Sequence, residues 1–155
     1  MILHDASLAG PTRFVWRVME RTLYCRSTWR ATMSANGDRH PFLDDLTADA
    51  VITSTLTRRP VSGRENVKRL VDAVGSIYVS QTALFYGHCD NRSLLQYEAE
   101  FGNGKTIQGV AVIERNADGS VPRVSVTFSP IDSALSLAAR LGSLLEQDMG
   151  KDIFL

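Results

Sequence analysis

The sequence of 155 residues contains only two cysteines and three widely separated histidines. Two cysteines, Cys25 and Cys89, are too few for a disulfide scaffold, so we expect reduced and mostly buried thiols in a cytoplasmic protein. A zinc site needs three or four convergent ligands, and His4, His40 and His88 do not have the spacing for one. We therefore expect no metal and no other cofactor.

Net charge and long apolar runs are also absent. Seventeen Lys and Arg balance seventeen Asp and Glu, which leaves no basic excess to attract nucleic acid. No apolar run approaches the roughly 18 residues of a membrane span. The first ten residues contain no Lys or Arg, which is a poor match to a secretory signal. The expected partners therefore include neither nucleic acid nor a membrane.

What the chain does contain is typical of one compact domain. Apolar residues make up 44% of the sequence and charged residues 22%, enough for a core that needs no disulfide or metal. We assign residues 1–10 to a flexible tail, residues 11–148 to a single domain and residues 149–155 to a C-terminal tail.

Helical periodicity occurs in four regions. Apolar residues share a stripe within residues 11–36, which predicts either one long helix or two. Pro41 begins a short predicted helix over residues 42–46. Ser62-Gly63-Arg64-Glu65 has the pattern of a capping box, and Gly75 is the predicted end of the helix that follows. A final helix begins after Ser129-Pro130, with one apolar face formed by Ile131, Ala134, Leu135, Ala138, Leu141 and Leu145.

A period of two predicts strands over residues 51–57, 77–89, 94–101, 105–113 and 121–128. Asn103-Gly104 is predicted to form a two-residue hairpin turn, and Asp118-Gly119 the next reversal. The Asn103-Gly104 turn sets Phe101 opposite Thr106. This register places one set of side chains on an apolar inner face, namely Leu95, Tyr97, Gln108 and Val112, and another set on the opposite face, namely Gln96, Glu98, Gly109 and Ala111.

The order of these elements is that of an α+β fold. Over residues 29–128 it resembles the nuclear transport factor 2-like (NTF2-like) superfamily, which includes ketosteroid isomerases and SnoaL-type polyketide cyclases. The resemblance rests on Gly37-Asp38 after the first helix, the strand entry at residues 46–52, Ser62-Gly63-Arg64-Glu65, and the Asp118-Gly119 turn. It implies a cystatin-like curved antiparallel sheet wrapped by N-terminal helices and followed by a C-terminal helix. It also implies an enclosed apolar pocket and a homodimer packed through the outer face.

The same resemblance disfavours the steroid isomerase reaction. On the family pattern, the position of the general base is occupied by Ser54, that of the second acid by Val112, and that of the helix tyrosine by a residue near Arg30. A serine hydroxyl does not abstract an α-proton unaided near neutral pH, and valine has no proton to donate. We therefore name no catalytic residue.

The predicted pocket residues are Trp29, Ser54, Leu56, Tyr86, His88, Leu95, Tyr97, Gln108 and Val112. Tyr97 and Gln108 are the main polar candidates, because a buried phenol or amide needs a hydrogen-bond partner. They could instead satisfy each other, and Trp29 could simply fill the core. His88 is a pocket candidate because it shares a strand face with Tyr86. It is also the first suspect for acid–base chemistry, because imidazole is the side chain whose ordinary pKa lies near neutral; a core or rim histidine is the structural alternative.

Other patterns favour structural roles. The stretch at residues 102–106 joins two strands and lacks the first glycine of a phosphate-binding loop. His88 and Cys89 are strand neighbours and point to opposite faces, which favours a buried structural cysteine over a nucleophile. Asp44, Asp45 and Asp49 are expected to be solvated, and Arg58-Arg59 to lie in an exposed turn.

The sequence therefore predicts a protein that binds a small apolar molecule within the curved sheet. One alternative is an isomerase, cyclase or dehydratase that uses a non-standard polar set in the same pocket. Another is an assembly role in which the outer face forms a homodimer.

Overall fold

The structure, a computed structural model, describes residues 40–102 and 104–155. The predicted tail 1–10, the helical region 11–36 with Cys25 and Trp29, and Asn103 lie outside the described residues. The elements are a 3-10 helix Pro41–Leu43, β1 Leu46–Ser54, β2 Val61–Ser62, α1 Arg64–Ile77, β3 Tyr78–Cys89, β4 Arg92–Phe101, β5 Lys105–Glu114, β6 Val121–Ser129, α2 Ile131–Met149, and a 3-10 helix Lys151–Ile153.

The six strands form one curved sheet in the order β2-β1-β6-β5-β4-β3. Neighbouring strands are antiparallel except β1 and β6, which run parallel. Two register shifts interrupt β3, between Tyr78 and Ser80 and between Ala83 and Phe85. Such bulges bend a strand and increase its twist. The predicted α+β class with a curved sheet is confirmed.

The register predicted for β4 and β5 is wrong by one residue. Phe101 lies opposite Lys105, and Tyr97 lies opposite Gly109. Gly102, at φ 31°, belongs to the connection and not to the strand, so the loop contains three residues instead of two. Because side chains alternate between faces, this single residue exchanges the two faces of β5.

The inner face of the sheet carries the core. Its buried apolar residues include Leu95, Tyr97, Ala99, Phe101, Ile107, Ala111, Ile113, Val124 and Phe128. Both helices pack against this core, α1 through Val67 and Leu70 and α2 through Leu137, Leu141 and Leu145. The outer face consists of the alternate residues, among them Gln96, Glu98, Gln108, Val110, Val112, Ser125 and Thr127.

Helix boundaries differ from the predicted ones in three places. The predicted short helix at 42–46 is a 3-10 helix at Pro41–Leu43, and β1 begins already at Leu46. The predicted capping box is wrong, because α1 is capped by Gly63, at φ 92°, without a side-chain hydrogen bond. The helix also continues through Gly75 as far as Ile77, whose half-buried side chain packs on the core.

The buried stripe of α2 is rotated relative to the predicted one. Ile131 and Leu135 are 76% and 48% exposed, while Ser133 and Leu137 are buried in their place. Cys89 is also an exception to prediction, since it is an exposed free thiol at the end of β3. No helix within residues 40–102 and 104–155 has the length and apolar character that crossing a membrane requires.

The C-terminal residues pack back onto the β1–β2 connection. Ile153 and Phe154 are buried, and Phe154 forms a β-bridge with Thr57. Arg58 is exposed, but its backbone N–H donates to Ile153 O and its Nε donates to Phe154 O, each at 2.8 Å. Residues 149–155 therefore end in a segment that adds to the core.

Candidate functional site

A small cavity lies between α1, β1 and the inner face of the sheet. Its volume is about 50 Å³, and it is lined by His40, Ile52, Ser54, Leu56, Leu70, Val71, Val74, Gly75, Tyr78, Tyr97 and Phe128. The lining is mainly apolar, with four polar side chains contributed by four different parts of the chain. Three of the predicted pocket residues, Ser54, Leu56 and Tyr97, meet here.

Alternation along the strands and helical spacing along α1 bring these side chains together. Ile52 and Ser54 lie on the inner face of β1, opposite Val124 and Val126 of β6. Leu70 and Val74 are four residues apart on α1, so they share a helix face. Tyr78 immediately follows α1 and begins β3, which places its ring between the helix and the sheet.

The central polar feature of the cavity is the phenol pair, Tyr78 and Tyr97. Their hydroxyl oxygens are 3.5 Å apart and their ring centroids 6.3 Å apart. Phe128 packs edge-on against Tyr97, with centroids 6.4 Å apart at 83°. Burial raises the pKa of both phenols, that of Tyr97 to about 12. Both hydroxyls are therefore protonated at neutral pH and act as hydrogen-bond donors.

The position of the Tyr97 ring depends on Gly109, directly opposite on β5. A Cβ atom at residue 109 would overlap the Tyr97 ring at Cζ, Cε1 and the hydroxyl oxygen. The missing side chain thus lets the phenol lie flat across β5 with its hydroxyl in the cavity. The register predicted from the sequence places this glycine on the outer face, and the structure corrects it to the inner face.

His40 supplies an imidazole to the cavity. Its ring stacks on Phe42, with centroids 5.7 Å apart at 29°. Burial lowers the pKa of the imidazole below its ordinary value of 6.5, while the charge of Asp72 acts in the opposite direction. His40 is therefore predominantly neutral at neutral pH, the state in which an imidazole accepts a proton.

The Ser54 hydroxyl is already hydrogen-bonded to a nearby backbone N–H group. Its Oγ accepts a hydrogen bond from Leu56 N at 3.1 Å, which stabilises the turn that ends β1. Because this hydroxyl is held by the chain, Ser54 contributes to the wall of the cavity more than to its chemistry. Leu56, only 2% exposed, closes the same side.

The remaining predicted pocket residues lie elsewhere. Gln108 and Val112 project from the outer face, because the three-residue loop reverses β5 relative to the predicted register. Leu95 is buried on the inner face but does not line the cavity. Trp29 lies outside the described residues.

Tyr86 and His88 do share a strand face, as predicted, but they lie far along β3 from the cavity. They pair with Leu95 and Ser93 of β4, and both are exposed. An acid–base role for His88 in the cavity is therefore wrong. Among the described residues, no three His, Cys, Asp or Glu side chains converge in a way that could hold a metal ion.

Sequence reasoning missed Tyr78 and His40 as cavity residues. Tyr78 lies at the start of the predicted strand 77–89, and the two bulges of β3 break the alternation that would relate its face to that of Tyr86 and His88. His40 precedes Pro41 in a segment without regular alternation. Only the tertiary arrangement brings these residues to the same place.

Comparison with known proteins identifies the fold. No protein-family model matches the sequence, and no curated protein matches it at a significant level. Among solved structures, a steroid delta-isomerase from Pseudomonas aeruginosa aligns with a TM-score of 0.63 and 20% identity, covering 68% of this chain and 77% of the isomerase. A protein with a cystatin-like fold from Silicibacter pomeroyi aligns with a TM-score of 0.66 and 18% identity over 74% of this chain and 80% of the other.

A third similar structure is an NTF2-like protein of unknown function from Burkholderia xenovorans. It aligns with a TM-score of 0.50 and 20% identity, covering 56% of this chain and 66% of the other. At these identities the likeness concerns the fold alone, because one fold supports many functions. The chain has the NTF2-like, cystatin-like fold that the order of its elements predicted.

Proposed function

We propose that the protein binds a small, largely apolar molecule in the cavity and orients it through a single oxygen atom. The phenol pair would donate to that oxygen, while Leu56, Leu70 and Phe128 would contact the apolar part of the molecule. This combination of an apolar wall with a few directed polar groups is typical of small-molecule sites.

The observation that carries the proposal is the separation of the two phenol oxygens. At 3.5 Å it exceeds the 2.7–2.8 Å typical of a hydroxyl–hydroxyl hydrogen bond, so the direct bond is weak. In a hydrogen bond between two hydroxyls only one O–H group is the donor, so the proton of the other O–H group is available to a different acceptor. A carbonyl or ether oxygen between Tyr78 and Tyr97 would accept from both.

The size of the cavity restricts the ligand. At about 50 Å³ it is well below the roughly 300–1,000 Å³ of typical ligand pockets. A molecule larger than a few heavy atoms would require α1 to move outward. Val71 and Val74 form the half-buried part of the helix wall, which makes this side the natural one to yield.

The proposal is tested with cyclopentanone and methylenecyclopentane, which have similar shapes but differ in the acceptor oxygen. In NMR titrations the ketone should bind more tightly to the wild-type protein. Tyr97→Phe should weaken binding of the ketone by about 3- to 10-fold, the contribution of one neutral hydrogen bond, and leave binding of the hydrocarbon unchanged. Tyr86→Phe, at an exposed tyrosine outside the cavity, is the matched control. Equal affinity for the two molecules in the wild type would contradict the proposal.

A second candidate function is an isomerase, cyclase or dehydratase activity in the same cavity, favoured by the neutral imidazole of His40. The imidazole would take a proton from the carbon next to a carbonyl, breaking that C–H bond. The phenol pair would donate to the oxygen that becomes negative. This step uses His40 and the phenol pair, whereas the sequence indicated His88 as the acid–base candidate.

Hydrogen–deuterium exchange at the α-carbons of cyclopentanone in D₂O measures this step directly. We expect exchange catalysed by the wild type to be lost in His40→Gln and kept in the control His88→Gln. Binding of the ketone without any protein-dependent exchange would leave the binding function intact and remove the catalytic one.

We also propose that the chain forms a homodimer through its outer face and acts in the cytoplasm. Half-buried Val110 and Val112 lie beside Leu94, which is 36% exposed, and give this face an apolar centre. Gly109 and Ala111, which the sequence placed there, belong to the inner face. The exposed free thiol of Cys89 supports a reducing compartment.

Light scattering at micromolar concentration tests the dimer. Val110→Lys should yield a folded monomer, because it places a charge in the centre of the interface. Leu144→Lys, on the exposed side of α2, should leave the dimer unchanged. A wild-type monomer would contradict this part of the proposal.

A further inference from the structure

The cavity of the phenol pair comes closest to solvent at one residue. Of its eleven lining residues, ten are buried or half-buried, and Gly75 is exposed. A residue that lines a cavity and also meets solvent marks the thinnest part of the wall. That part lies in the last turn of α1.

Exposure increases along α1 toward this residue. Leu70, Val71, Val74 and Gly75 have the spacing of one helix face, and together they form the helix wall of the cavity. Leu70 is 3% exposed, Val71 and Val74 are half-buried, and Gly75 is exposed. The cavity therefore extends along this face from the core toward solvent.

The wall formed by the sheet is closed. Ile52 and Leu56 of the β1 side, Tyr97 of β4 and Phe128 of β6 are all buried. Their strands are hydrogen-bonded to neighbouring strands, so a molecule entering between them would have to separate the sheet. Entry beside α1 breaks no strand pairing.

Nothing in the local structure requires a glycine at residue 75. It lies within α1 without a positive φ, and a Cβ atom there would meet no atom within 4 Å. Glycine also destabilises a helix relative to alanine. Close packing explains the glycine at residue 109, but it does not explain Gly75. What the missing side chain provides is open space at the thinnest part of the cavity wall.

The backbone around Gly75 is held by hydrogen bonds. The Tyr78 N–H donates to Gly75 O, and Ser76 Oγ donates to Ala73 O at 2.7 Å. These bonds fix the last turn of α1 beside the first residue of β3, whose phenol belongs to the cavity. The width of the opening is therefore set by the size of residue 75 and not by unwinding of the helix end.

We infer that Gly75 is the entrance of the cavity, and that its missing side chain controls the entry of small apolar molecules. This inference rests on the proposed binding function and adds to it the residue that governs access to the site. An entrance residue acts on the rates of entry and exit, whereas a residue that holds the ligand acts on its affinity.

Xenon measures access to the cavity without the phenols, because it binds in apolar cavities and accepts no hydrogen bond. Saturation transfer gives the exchange rate of ¹²⁹Xe between solvent and protein, and the methyl signals of Leu70, Val71 and Val74 identify the cavity as its site. Gly75→Leu should slow this exchange by about tenfold or more, because the leucine side chain has to move aside at each entry, and Gly75→Ala by less than about twofold.

Alanine and leucine are both strong helix formers, so the two variants differ mainly in the size of the added side chain. Equal slowing in both would show that flexibility of the helix limits entry, and would overturn the inference. Exchange in Gly75→Leu as fast as in the wild type, or no xenon binding in the wild type, would overturn it as well. Ser76→Leu, at an exposed neighbour outside the cavity lining, is the control and should exchange like the wild type.

Cyclopentanone separates this inference from the proposed function. If xenon exchange follows the expected order of the variants and the ketone does not bind, the entrance is supported and the proposed ligand is wrong. If the ketone binds, its association and dissociation rates should fall together in Gly75→Leu, while Kd changes by less than about threefold. A weaker Kd with an unchanged association rate would place residue 75 in the binding site and would overturn its role as the entrance.

Discussion

At the scale of single residues, the contact between Gly109 and Tyr97 determines the shape of the cavity. The phenol ring lies across the glycine, and its hydroxyl oxygen is 3.5 Å from that of Tyr78. Gly75 also lines the cavity, but it lies in the last turn of α1, and a Cβ atom there would meet no atom within 4 Å. The same substitution at these two glycines should therefore have opposite effects.

We expect Gly109→Ala to lower the free energy of unfolding by about 1–3 kcal/mol, because the methyl group forces the Tyr97 ring out of its position. Gly75→Ala should raise it by about 0.5–1 kcal/mol, the usual gain for alanine in a helix. Urea unfolding measures both changes. In a Tyr97→Leu background, Gly109→Ala should lower the free energy of unfolding by much less than it does in the wild type. An equal loss in both backgrounds would contradict the proposed overlap between the alanine methyl group and the Tyr97 ring.

The buried phenols also predict an alkaline loss of stability. The Tyr97 pKa of about 12 in the folded protein exceeds the value of about 10 in an unfolded chain. Between these values the unfolded state releases the proton and the folded state keeps it. The contribution of Tyr97 to the free energy of unfolding is therefore fully present below pH 10 and is lost as the pH rises to 12. The fall contributed by Tyr97 is at most about 1.4 kcal/mol per pH unit.

Urea unfolding at several pH values from 9 to 12 measures this loss. We expect a shallower decline in Tyr97→Phe than in the wild type, while the control Tyr86→Phe keeps the wild-type slope. Identical slopes in wild type and Tyr97→Phe would show that this phenol is solvated in the folded state.

At the scale of elements, periodicity predicted which segments form strands but not how they pair. The predicted order of one strand, a helix, four strands and a final helix is confirmed, while alternation and turn residues predict neither the two-residue strand β2 nor the 3-10 helix Lys151–Ile153. The register of β4 and β5 is wrong because Gly102 can be read as strand or as loop, and its positive φ becomes visible only in the structure. The error moved Gln108 and Val112 into the predicted site and Gly109 out of it.

The C-terminal segment shows a similar limit. A short stretch after a glycine has no periodicity to indicate burial, yet Phe154 is 4% exposed and pairs with Thr57. We expect Phe154→Ala to lower the free energy of unfolding by about 3–5 kcal/mol, as for other buried aromatic residues. Leu155→Ala, at a side chain that is 45% exposed, should change it by less than about 0.5 kcal/mol. Similar values for both variants, measured by urea unfolding, would contradict the docking of this segment.

At the scale of the whole molecule, one sheet borders two separate cavities. Its inner face meets α1 at the apolar cavity of the phenol pair, and its far end borders an open polar cleft lined by His88 and Arg115 among others. Of the predicted pocket residues, Ser54, Leu56 and Tyr97 line the cavity. The sequence did not indicate His40, which lies in a segment without regular alternation, or Tyr78, because the two bulges of β3 break the alternation of the predicted strand 77–89.

The central claim is that Tyr78 and Tyr97 together receive one ligand oxygen. Fluorine NMR of protein labelled with 3-fluorotyrosine and titrated with cyclopentanone tests it most directly. The account predicts that the resonances of Tyr78 and Tyr97 shift together and saturate at the same concentration, while that of Tyr86 does not move. A shift of Tyr86 alone, or equal shifts of the phenol pair with methylenecyclopentane, would contradict it.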